Sequence, residues 1–454
     1  MKNHIETRAT KLQLTHLKSI PIQTFWISSL AFFLCFFAWF GIVPFMPDVV
    51  KDLNLSEEQK WNSIILAVSA TVIARLLIGK LCDRYGPRLC YTFLLILGAI
   101  PVFCTALVQT PFQFMLCRFF TGFIGASFVV TQVHTSLMFA PNIIGTANAT
   151  SAGWGNLGGG ANRLGMPIIA AVVIGMGISE AQAWRYSMMI VGVLCLLMGL
   201  VYYHFTQDTV EGNFKDLIKQ GKNINKTKKD EIGFLSVVKD YRVWILFMAY
   251  AACFGIELTV YGTMDDYLQN SFQLSRVQAG NMILIFGLMN IFARTLGGYF
   301  GDKFGNHSGL KGRVHFLVII LITEGVILSI FSSITTFTLG LCFLLAFSLS
   351  VQMAEGATFS VVPLINKKAI GTVSGIVGAG GNVGAFVAAL FLKSKTTSAD
   401  TTSSFIPTNT MASGYFILGI AVTFIGLGAL IIRFYKPSKK TVTKPIKKSE
   451  PLPT

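Results

Sequence analysis

Two arginines lie inside apolar stretches of the chain, where a permanent charge is costly to bury. Arg75 occurs in ATVIARLLIGKLCDRYG and Arg294 in MNIFARTLGGYFGDKFG, each eight residues before an aspartate, Asp83 or Asp302. In a helix, each arginine would lie about 12 Å deeper than its aspartate. A guanidinium is planar, always charged and carries a rigid fork of donors, which suits a flat oxyanion. Two such groups facing one cavity would repel each other unless an anion lay between them, so the pair predicts a central anion site.

The elements that carry these arginines are long and apolar. The 454 residues are 53% hydrophobic and 13% charged, with a mean hydropathy of +0.61, whereas a soluble domain has about 25% charged residues. Stretches of roughly 20 apolar residues can cross a hydrocarbon core of about 30 Å. We predict an all-α integral membrane protein with twelve transmembrane helices, at residues 26–45, 62–81, 89–108, 112–139, 147–174, 186–205, 243–263, 279–300, 314–332, 337–361, 372–392 and 411–432.

The basic residues are placed in alternate connections between these stretches. The formal net charge is +16, and Lys and Arg concentrate in both tails, in the central linker and in every second connection. The positive-inside rule then predicts cytoplasmic termini and an even number of spans. This placement explains the net charge without a nucleic-acid partner. The predicted order is a cytoplasmic tail at 1–25, a first bundle at 26–205, a cytoplasmic linker at 206–242, a second bundle at 243–433 and a basic tail at 434–454.

The two halves of the chain repeat each other. ARLLIGKLCDRYG after residue 73 aligns with ARTLGGYFGDKFG after residue 292, and GTANATSAGWGNLGG from residue 145 aligns with GTVSGIVGAGGNVGA from residue 371. Such duplication of six spans in one orientation is a known plan of membrane transporters. The sequence therefore predicts two pseudo-symmetric six-helix bundles.

A glycine-rich pattern occurs in the fifth predicted span and again in the eleventh. Its first copy is a literal G-x-G-x-x-G, but a dinucleotide site needs a preceding strand, which is absent here. Within a membrane, glycines allow helices to approach closely. We therefore predict helix packing for Gly153, Gly155 and Gly158 in the first copy and for Gly378, Gly381 and Gly384 in the second.

The repeated asparagines of these two spans need another explanation. Asn156 and Asn382 occupy matching positions, and a buried amide needs hydrogen-bond partners. Two interpretations of these amides remain open. They form part of a polar site, or they make structural hydrogen bonds between helices.

Other ionisable residues are predicted within spans. Glu257, Glu355 and Arg118 are candidates for proton coupling, since a buried carboxyl can carry a proton in neutral form. The alternative for each is a structural buried pair. Glu324 and His134 are interpreted as helix-contact residues.

Signs of catalysis are absent from the sequence. All eight cysteines lie in or beside apolar segments, without metal-ligand spacing. No nucleophile-and-base motif or phosphate loop is recognisable. We therefore expect a protein that is not an enzyme and that uses neither a metal nor another cofactor.

The repeated motifs resemble those of a known family. GKLCDRYGPR and GGYFGDKFGN look like the cytoplasmic loop motif of the major facilitator superfamily, and AGWGNLGGG and GIVGAGGNVG resemble the two signatures of its nitrate/nitrite porters. FCTALVQTPFQFMLCRFFTGF, SLMF and MAEGATFSVVPLI are similar to the eukaryotic high-affinity nitrate branch, and the likeness runs from the first span to the eleventh. The resemblance implies the major facilitator fold and proton-driven import of nitrate, with nitrite as a second possible substrate.

The resemblance also implies roles for single residues. Arg75 and Arg294 would clamp the anion, Asn156 and its repeat partner Asn382 would line the site, and aromatic rings would sandwich the substrate. Candidate rings are Phe36, Phe37, Trp39 and Phe40 in the first span and Tyr250, Phe254 and Tyr261 in the seventh. Arg163 departs from the family pattern, and its role stays open.

Alternatives to proton symport differ in what they need from the carboxyls. A nitrate/nitrite exchanger would use the same arginines without Glu257 or Glu355, and a membrane receptor would bind nitrate without moving it. The expected partners are nitrate or nitrite, protons and membrane lipid, around a functional monomer in the plasma membrane. An accessory subunit is left open.

Overall fold

The computed structural model describes residues 8–221, 234–397 and 410–432, and within them the chain is helical with isolated β-bridges only. The predicted basic tail and part of the predicted linker lie outside the described residues. The helices are α1 (Ile20–Phe40), α2 (Met46–Leu53), α3 (Glu57–Tyr85), α4 (Pro87–Cys104), α5 (Pro111–Thr121), α6 (Ser127–Met138), α7 (Ile144–Gly175), α8 (Glu180–Phe205), α9 (Phe214–Lys219), α10 (Phe234–Val238), α11 (Tyr241–Phe272), α12 (Arg276–Leu288), α13 (Ala293–Phe331), α14 (Phe337–Ile365), α15 (Ile370–Thr397) and α16 (Thr410–Gly428).

Eleven apolar helical stretches in the described residues are long enough to cross a membrane. One of them, Gln278–Phe331, has 54 residues and is too long for a single crossing of about 30 Å. Non-helical backbone at Ser308 and Gly309 divides it, and Gly309 has φ +64°, which favours glycine. Counted as two, this stretch brings the described crossings to the predicted twelve.

The first crossing starts earlier than the sequence prediction placed it. α1 begins at Ile20, not at residue 26, with Pro21 in its first turn. Proline is favoured there because the first helical N–H groups have no partner within the helix. The polar start of the segment concealed this boundary.

Two aspartates join the halves of the molecule at one end, which the charge pattern assigns to the cytoplasm. Asp83 of α3 accepts hydrogen bonds from the Gly371 N–H (2.8 Å), the Thr372 N–H (2.7 Å) and the Thr372 hydroxyl (2.7 Å). These groups begin α15, where free N–H groups and the helix dipole favour a carboxylate. The aspartate of one half thus caps a helix of the other.

The second copy of the motif repeats this contact. Asp302 of α13 accepts from the Gly145 N–H (3.0 Å), the Thr146 N–H (2.6 Å) and the Thr146 hydroxyl (2.7 Å) at the start of α7. It also pairs with Arg313, whose guanidinium donates to the Ser360 carbonyl at 3.0 Å. The two symmetry-related caps hold this end of the molecule closed.

Glycines allow the backbones to meet beside these caps. A Cβ at Gly79 would overlap the carbonyl oxygen of Gly371, and a Cβ at Gly371 would overlap that of Gly79. Gly145 and Gly298 meet between α7 and α13, where a Cβ at Gly298 would overlap the Gly145 carbonyl. Side chains at these points would push the halves apart.

Substitution of Gly79 by alanine is expected to open the closed end. The overlap with a backbone oxygen, at a cost of about 1–3 kcal/mol, would lower the closed population relative to the open one by about 5- to 150-fold. Distances between spin labels at Lys80 and Lys367, one in each half, measure that population. Gly160→Ala is the matched control because its Cβ would meet open space. An unchanged distance distribution in Gly79→Ala would contradict the prediction.

Candidate anion site

The two predicted arginines converge on one group of aromatic rings. Arg75 and Arg294 are 0% and 1% exposed. The Arg75 Cζ atom lies 5.1 Å from the ring centroid of Phe128 and 5.6 Å from that of Phe254. For the Arg294 Cζ atom the same distances are 5.7 and 5.8 Å. One arginine comes from each half, so the site lies between the halves.

Backbone carbonyls orient the guanidinium of Arg75. Its Nε donates to the Gly125 carbonyl at 3.2 Å and its Nη1 to the Gly378 carbonyl at 2.6 Å. These carbonyls come from different halves of the chain. Its Nη2 is buried and has no hydrogen-bond partner in the described part of the chain. An unpaired buried donor is costly, so this nitrogen is available to an acceptor that enters the site.

The guanidinium of Arg294 has different partners. It forms a buried ion pair with Glu355 of α14. Its Nη2 donates to the hydroxyl of Tyr250 at 2.8 Å. The charge of Arg294 is therefore balanced by a carboxylate, whereas Arg75 is bonded to neutral carbonyls.

The rings beside the arginines form a nearly parallel group. The Phe128 ring makes angles of 12° with Tyr250 and 6° with Phe254, at centroid distances of 5.6 and 6.4 Å. Phe359 meets Phe128 edge-on at 4.8 Å and Tyr250 at 5.0 Å. Flat faces therefore lie next to two flat guanidinium forks.

Five of the seven predicted rings lie elsewhere. Phe37 stacks on Phe33 and Phe40 contacts Trp39, all within the first crossing. Phe36 contacts Phe32 at a centroid distance of 4.5 Å, and Phe32 contacts Phe128 at 5.8 Å. The ring of Phe32 therefore lies between Phe36 and the rings beside the arginines. The Trp39 carbonyl accepts from Arg118, and the Tyr261 hydroxyl donates to Glu257 at 3.4 Å. Of the predicted aromatics, Tyr250 and Phe254 lie closest to the arginines.

Phe128 was missed, although the sequence contains a signal for it. The segment Gly125-Ala-Ser-Phe128-Val-Val repeats as Gly356-Ala-Thr-Phe359-Ser-Val. Both phenylalanines reach the same ring group, one from each half. A repeat search that included the fourth and tenth spans would have found them.

Both signature asparagines have buried amides without partners in the described residues. The side-chain nitrogen and oxygen of Asn156 and of Asn382 are all unpaired. Asn382 lies one turn beyond Gly378, whose carbonyl binds Arg75, and next to Gly381, which packs on Phe254 and Tyr250. The four unpaired polar atoms of these two amides favour a polar site over bonding between helices.

The signature glycines lie against neighbouring backbones and rings. A Cβ at five of the six positions would overlap an atom of another helix, whereas at Gly378 it would make an ordinary contact with Val129 at 3.4 Å. The overlapping pairs are Gly153 with Asn290, Gly155 with Phe32, Gly158 with Phe33, Gly381 with Phe254, and Gly384 with Ala251.

The carboxyl candidates lie together beside Arg294. Glu257 of α11 is 1% exposed and accepts from the Asn290 amide at 2.6 Å, while its Oε2 is unpaired among the described residues. Glu355 is 0% exposed, and apart from its ion pair with Arg294 its two oxygens have no hydrogen-bond partner among the described residues.

The remaining ionisable residues are separate from this group. Arg118 donates to the Trp39 carbonyl at 3.1 Å, in the first half of the chain. His134 contacts the Tyr202 hydroxyl at 2.5 Å and the Gln207 carbonyl at 2.7 Å. Arg163 is exposed on α7.

The described residues contain neither a grouped set of metal ligands nor a disulfide. In residues 8–221, 234–397 and 410–432, no three His, Cys, Asp or Glu side chains are grouped to hold a metal ion. All eight cysteines are free thiols.

Comparisons with known proteins agree with this architecture. The Major Facilitator Superfamily profile matches residues 28–389. The chain is 38% identical over 399 residues to the High affinity nitrate transporter 2.5 of Arabidopsis thaliana, covering 87% of this chain and 79% of that one. It is 28% identical to the Nitrate/nitrite transporter NrtP of Nostoc punctiforme, covering 79% and 84%. The crystal structure of FucP in the outward conformation superposes with a TM-score of 0.67 at 14% identity, covering 90% of this chain and 98% of that one.

Proposed function

We propose that this chain, which belongs to the Major Facilitator Superfamily and within it to the high-affinity nitrate transporters, carries nitrate across a membrane by alternating access. The observation behind this proposal is the meeting of Arg75 and Arg294, one from each half, over the same two rings. An anion held between them contacts both halves at once. Its binding can therefore drive the rocking of one half against the other.

Nitrate fits the chemistry of this site. It is flat and weakly hydrated, and its three oxygens can accept from guanidinium forks in one plane. The free Nη2 of Arg75 supplies a donor, and the amides of Asn156 and Asn382 supply more. Parallel rings would cover the faces of a flat anion but leave a tetrahedral one poorly packed. Nitrite is smaller and also flat, so the same groups would accept it.

The ion pair between Arg294 and Glu355 suggests how protons take part. Nitrate and the carboxylate of Glu355 compete for the same guanidinium. When Glu355 takes up a proton it loses its charge, and the fork of Arg294 becomes available to nitrate. Proton and nitrate then favour each other's binding, and this linkage is reciprocal. The chain thereby functions as a symporter.

The conformation with this end closed corresponds to one stage of the proposed transport cycle. The caps made by Asp83 and Asp302 block the side that we assign to the cytoplasm. Nitrate release on that side requires both caps to break. We propose that binding of nitrate and a proton supplies the free energy for this step. Import into the cell places the protein in the plasma membrane, with both termini inside.

Uptake of labelled nitrate into proteoliposomes tests the proposal. We expect uptake that an inward proton gradient stimulates at least about fivefold. Uptake that ignores the gradient and rises only with nitrite inside would indicate an exchanger. Binding without uptake under every condition would indicate a receptor. Liposomes without protein supply the background.

Substitution of Phe128 by leucine is expected to weaken nitrate binding by roughly tenfold. The change removes the ring that lies beside both guanidiniums. A desolvated cation–π contact between such a ring and a guanidinium contributes about 1–2 kcal/mol. Nitrate titration by calorimetry on the purified protein measures the effect. Phe120→Leu is the control because Phe120 is 48% exposed and lies away from the arginines. Equal affinities for the two variants would refute a role for the Phe128 ring.

A further inference from the structure

Two adjoining cavities lie on the first half of the molecule, at the end that we assign to the cytoplasm. The first is polar, with a volume of about 280 Å³, and the second is apolar, with a volume of about 840 Å³. Tyr85 and Leu89, on either side of the turn between α3 and α4, line both cavities. One molecule with a polar end and an apolar end can therefore occupy both cavities at once.

The apolar cavity is a groove between α3, α4 and α5 that opens toward the hydrocarbon of the membrane. Leu97 of α4 and Phe120 of α5 line it, and both side chains are exposed. Gly98 also lines it and has no side chain to fill the space. From Leu89 to Cys104 the groove follows α4 for about 22 Å, and one leaflet is about half of a hydrocarbon core of about 30 Å. The groove is therefore long enough for one acyl chain of a lipid.

The polar cavity lies where α4 begins and α8 ends. Its charged lining consists of three basic side chains and two acidic ones, namely Arg88, Lys215, Lys219, Asp208 and Asp216. Asp208 is buried, and its two oxygens accept from the Arg88 N–H and the Phe214 N–H, both at 2.9 Å. Because the carboxylate of Asp208 is bonded to the backbone, the basic side chains dominate the part of the cavity that a ligand would meet.

Neutral groups hold the guanidinium of Arg88 in this cavity. Its Nε and Nη2 both donate to the Tyr203 carbonyl, at 2.9 and 2.6 Å, and its Cζ lies 4.3 Å from the centroid of the Tyr203 ring. Neither contact is with a carboxylate, and Nη1 takes part in neither hydrogen bond. An arginine that is fixed in position and keeps a donor is a favourable ligand for a phosphate group.

We propose that the two cavities together bind an anionic phospholipid. Its phosphate and negatively charged headgroup lie beside Arg88, Lys215 and Lys219, and one acyl chain follows α4 along the groove. The assigned orientation supports this occupant, because the cytoplasmic leaflet carries the anionic lipids and attracts basic residues next to the membrane. A zwitterionic lipid would bring its cation into a cavity where basic side chains prevail, so it binds less tightly. This site is separate from the proposed nitrate site and does not depend on it.

The position of the site gives the lipid a structural effect. Lys215 and Lys219 belong to α9 in the predicted linker, whereas Arg88 belongs to α4. Asp83, which caps α15, lies two residues before Tyr85 at the mouth of the groove. A bound headgroup would therefore attach the linker to the turn that follows this cap.

Native mass spectrometry of the full-length protein with equimolar dioleoyl phosphatidylserine and dioleoyl phosphatidylcholine tests the proposal. We expect phosphatidylserine to be retained in preference, and the double substitution Lys215→Gln with Lys219→Gln to weaken its binding at least about tenfold. The matched control is Lys303→Gln with Lys311→Gln, which removes the same charge from exposed positions of the second half. We expect this control to change the binding less than about twofold.

A second pair of variants tests the groove. Leu97→Trp places a larger side chain in the groove and is expected to weaken binding of phosphatidylserine about fivefold or more. Leu194→Trp is its control, since Leu194 is an exposed leucine of α8 that does not line the groove. Glycerophosphoserine, which has the same headgroup without acyl chains, should not displace the lipid.

Several results would overturn the proposal. Equal retention of the two lipids, or equal binding by the two lysine variants, would show that these basic residues do not select an anionic headgroup. Displacement by glycerophosphoserine, or unchanged binding in Leu97→Trp, would indicate a site for a soluble anion and not for a lipid. Nitrate takes no part in these measurements, so their outcome is independent of the proposed transport.

Discussion

Lysine in place of Arg75 or Arg294 is expected to reduce nitrate uptake at least about 100-fold. Lysine keeps the charge but replaces a planar fork of five donors by one compact ammonium. At Arg75 the change removes the bonds to Gly125 and Gly378 that orient the side chain, and with them the free Nη2. Hydrogen bonds to charged groups contribute about 1.5–3 kcal/mol each, so the loss of one or two accounts for this factor.

Nitrate affinity and uptake should be measured together for both variants. The proposed site lies between the two halves and uses one arginine from each. We therefore expect either single substitution to abolish tight nitrate binding, because the anion needs both arginines. Arg163→Lys is the control, because Arg163 is an exposed arginine outside the site, and we expect a change of less than twofold. Wild-type affinity in either lysine variant would exclude a clamp made of two arginines.

The second large effect is expected from Glu355→Gln. Glutamine keeps the shape of the side chain but has no charge to compete with nitrate for Arg294, and it cannot carry the proton. We therefore expect nitrate affinity that no longer falls as pH rises from 5 to 8. Accumulation driven by a proton gradient should fall at least about tenfold, while counterflow is retained.

The direction of this pH effect follows from the competition. In the unmodified protein, rising pH removes the proton from Glu355, and the resulting carboxylate occupies the fork of Arg294 and weakens nitrate binding. Calorimetric titration across this pH range measures the effect. Glu57→Gln, which changes an exposed carboxylate in an ion pair with Lys60, should leave the pH dependence intact. A Glu355→Gln variant with the same pH dependence as the unmodified protein would show that another group titrates.

The amino-acid sequence by itself determined the class of the protein, its twelve crossings, its repeat and the two arginines of the proposed site. These features depend on local properties: the length of an apolar stretch, the placement of lysines, and a charge where lipid would exclude one. A duplicated chain also allows each motif to be checked against its copy. Asp83 and Asp302 are an example: they occupy matching positions in the repeat, and in the structure each caps a helix of the other half.

Only the tertiary structure decided which side chains meet. The ring contacts of Phe128, and the choice of Tyr250 and Phe254 over Phe36, depend on how the helices rotate and cross. In a chain with 38 phenylalanines, composition does not distinguish a ring that faces lipid from one that faces a charge. The pairing of Arg294 with Glu355 joins helices that are far apart in sequence, and no local pattern encodes such a contact. Glu324 is buried, and neither of its oxygens has a hydrogen-bond partner in the described part of the chain, which likewise emerges only when every neighbouring helix is in place.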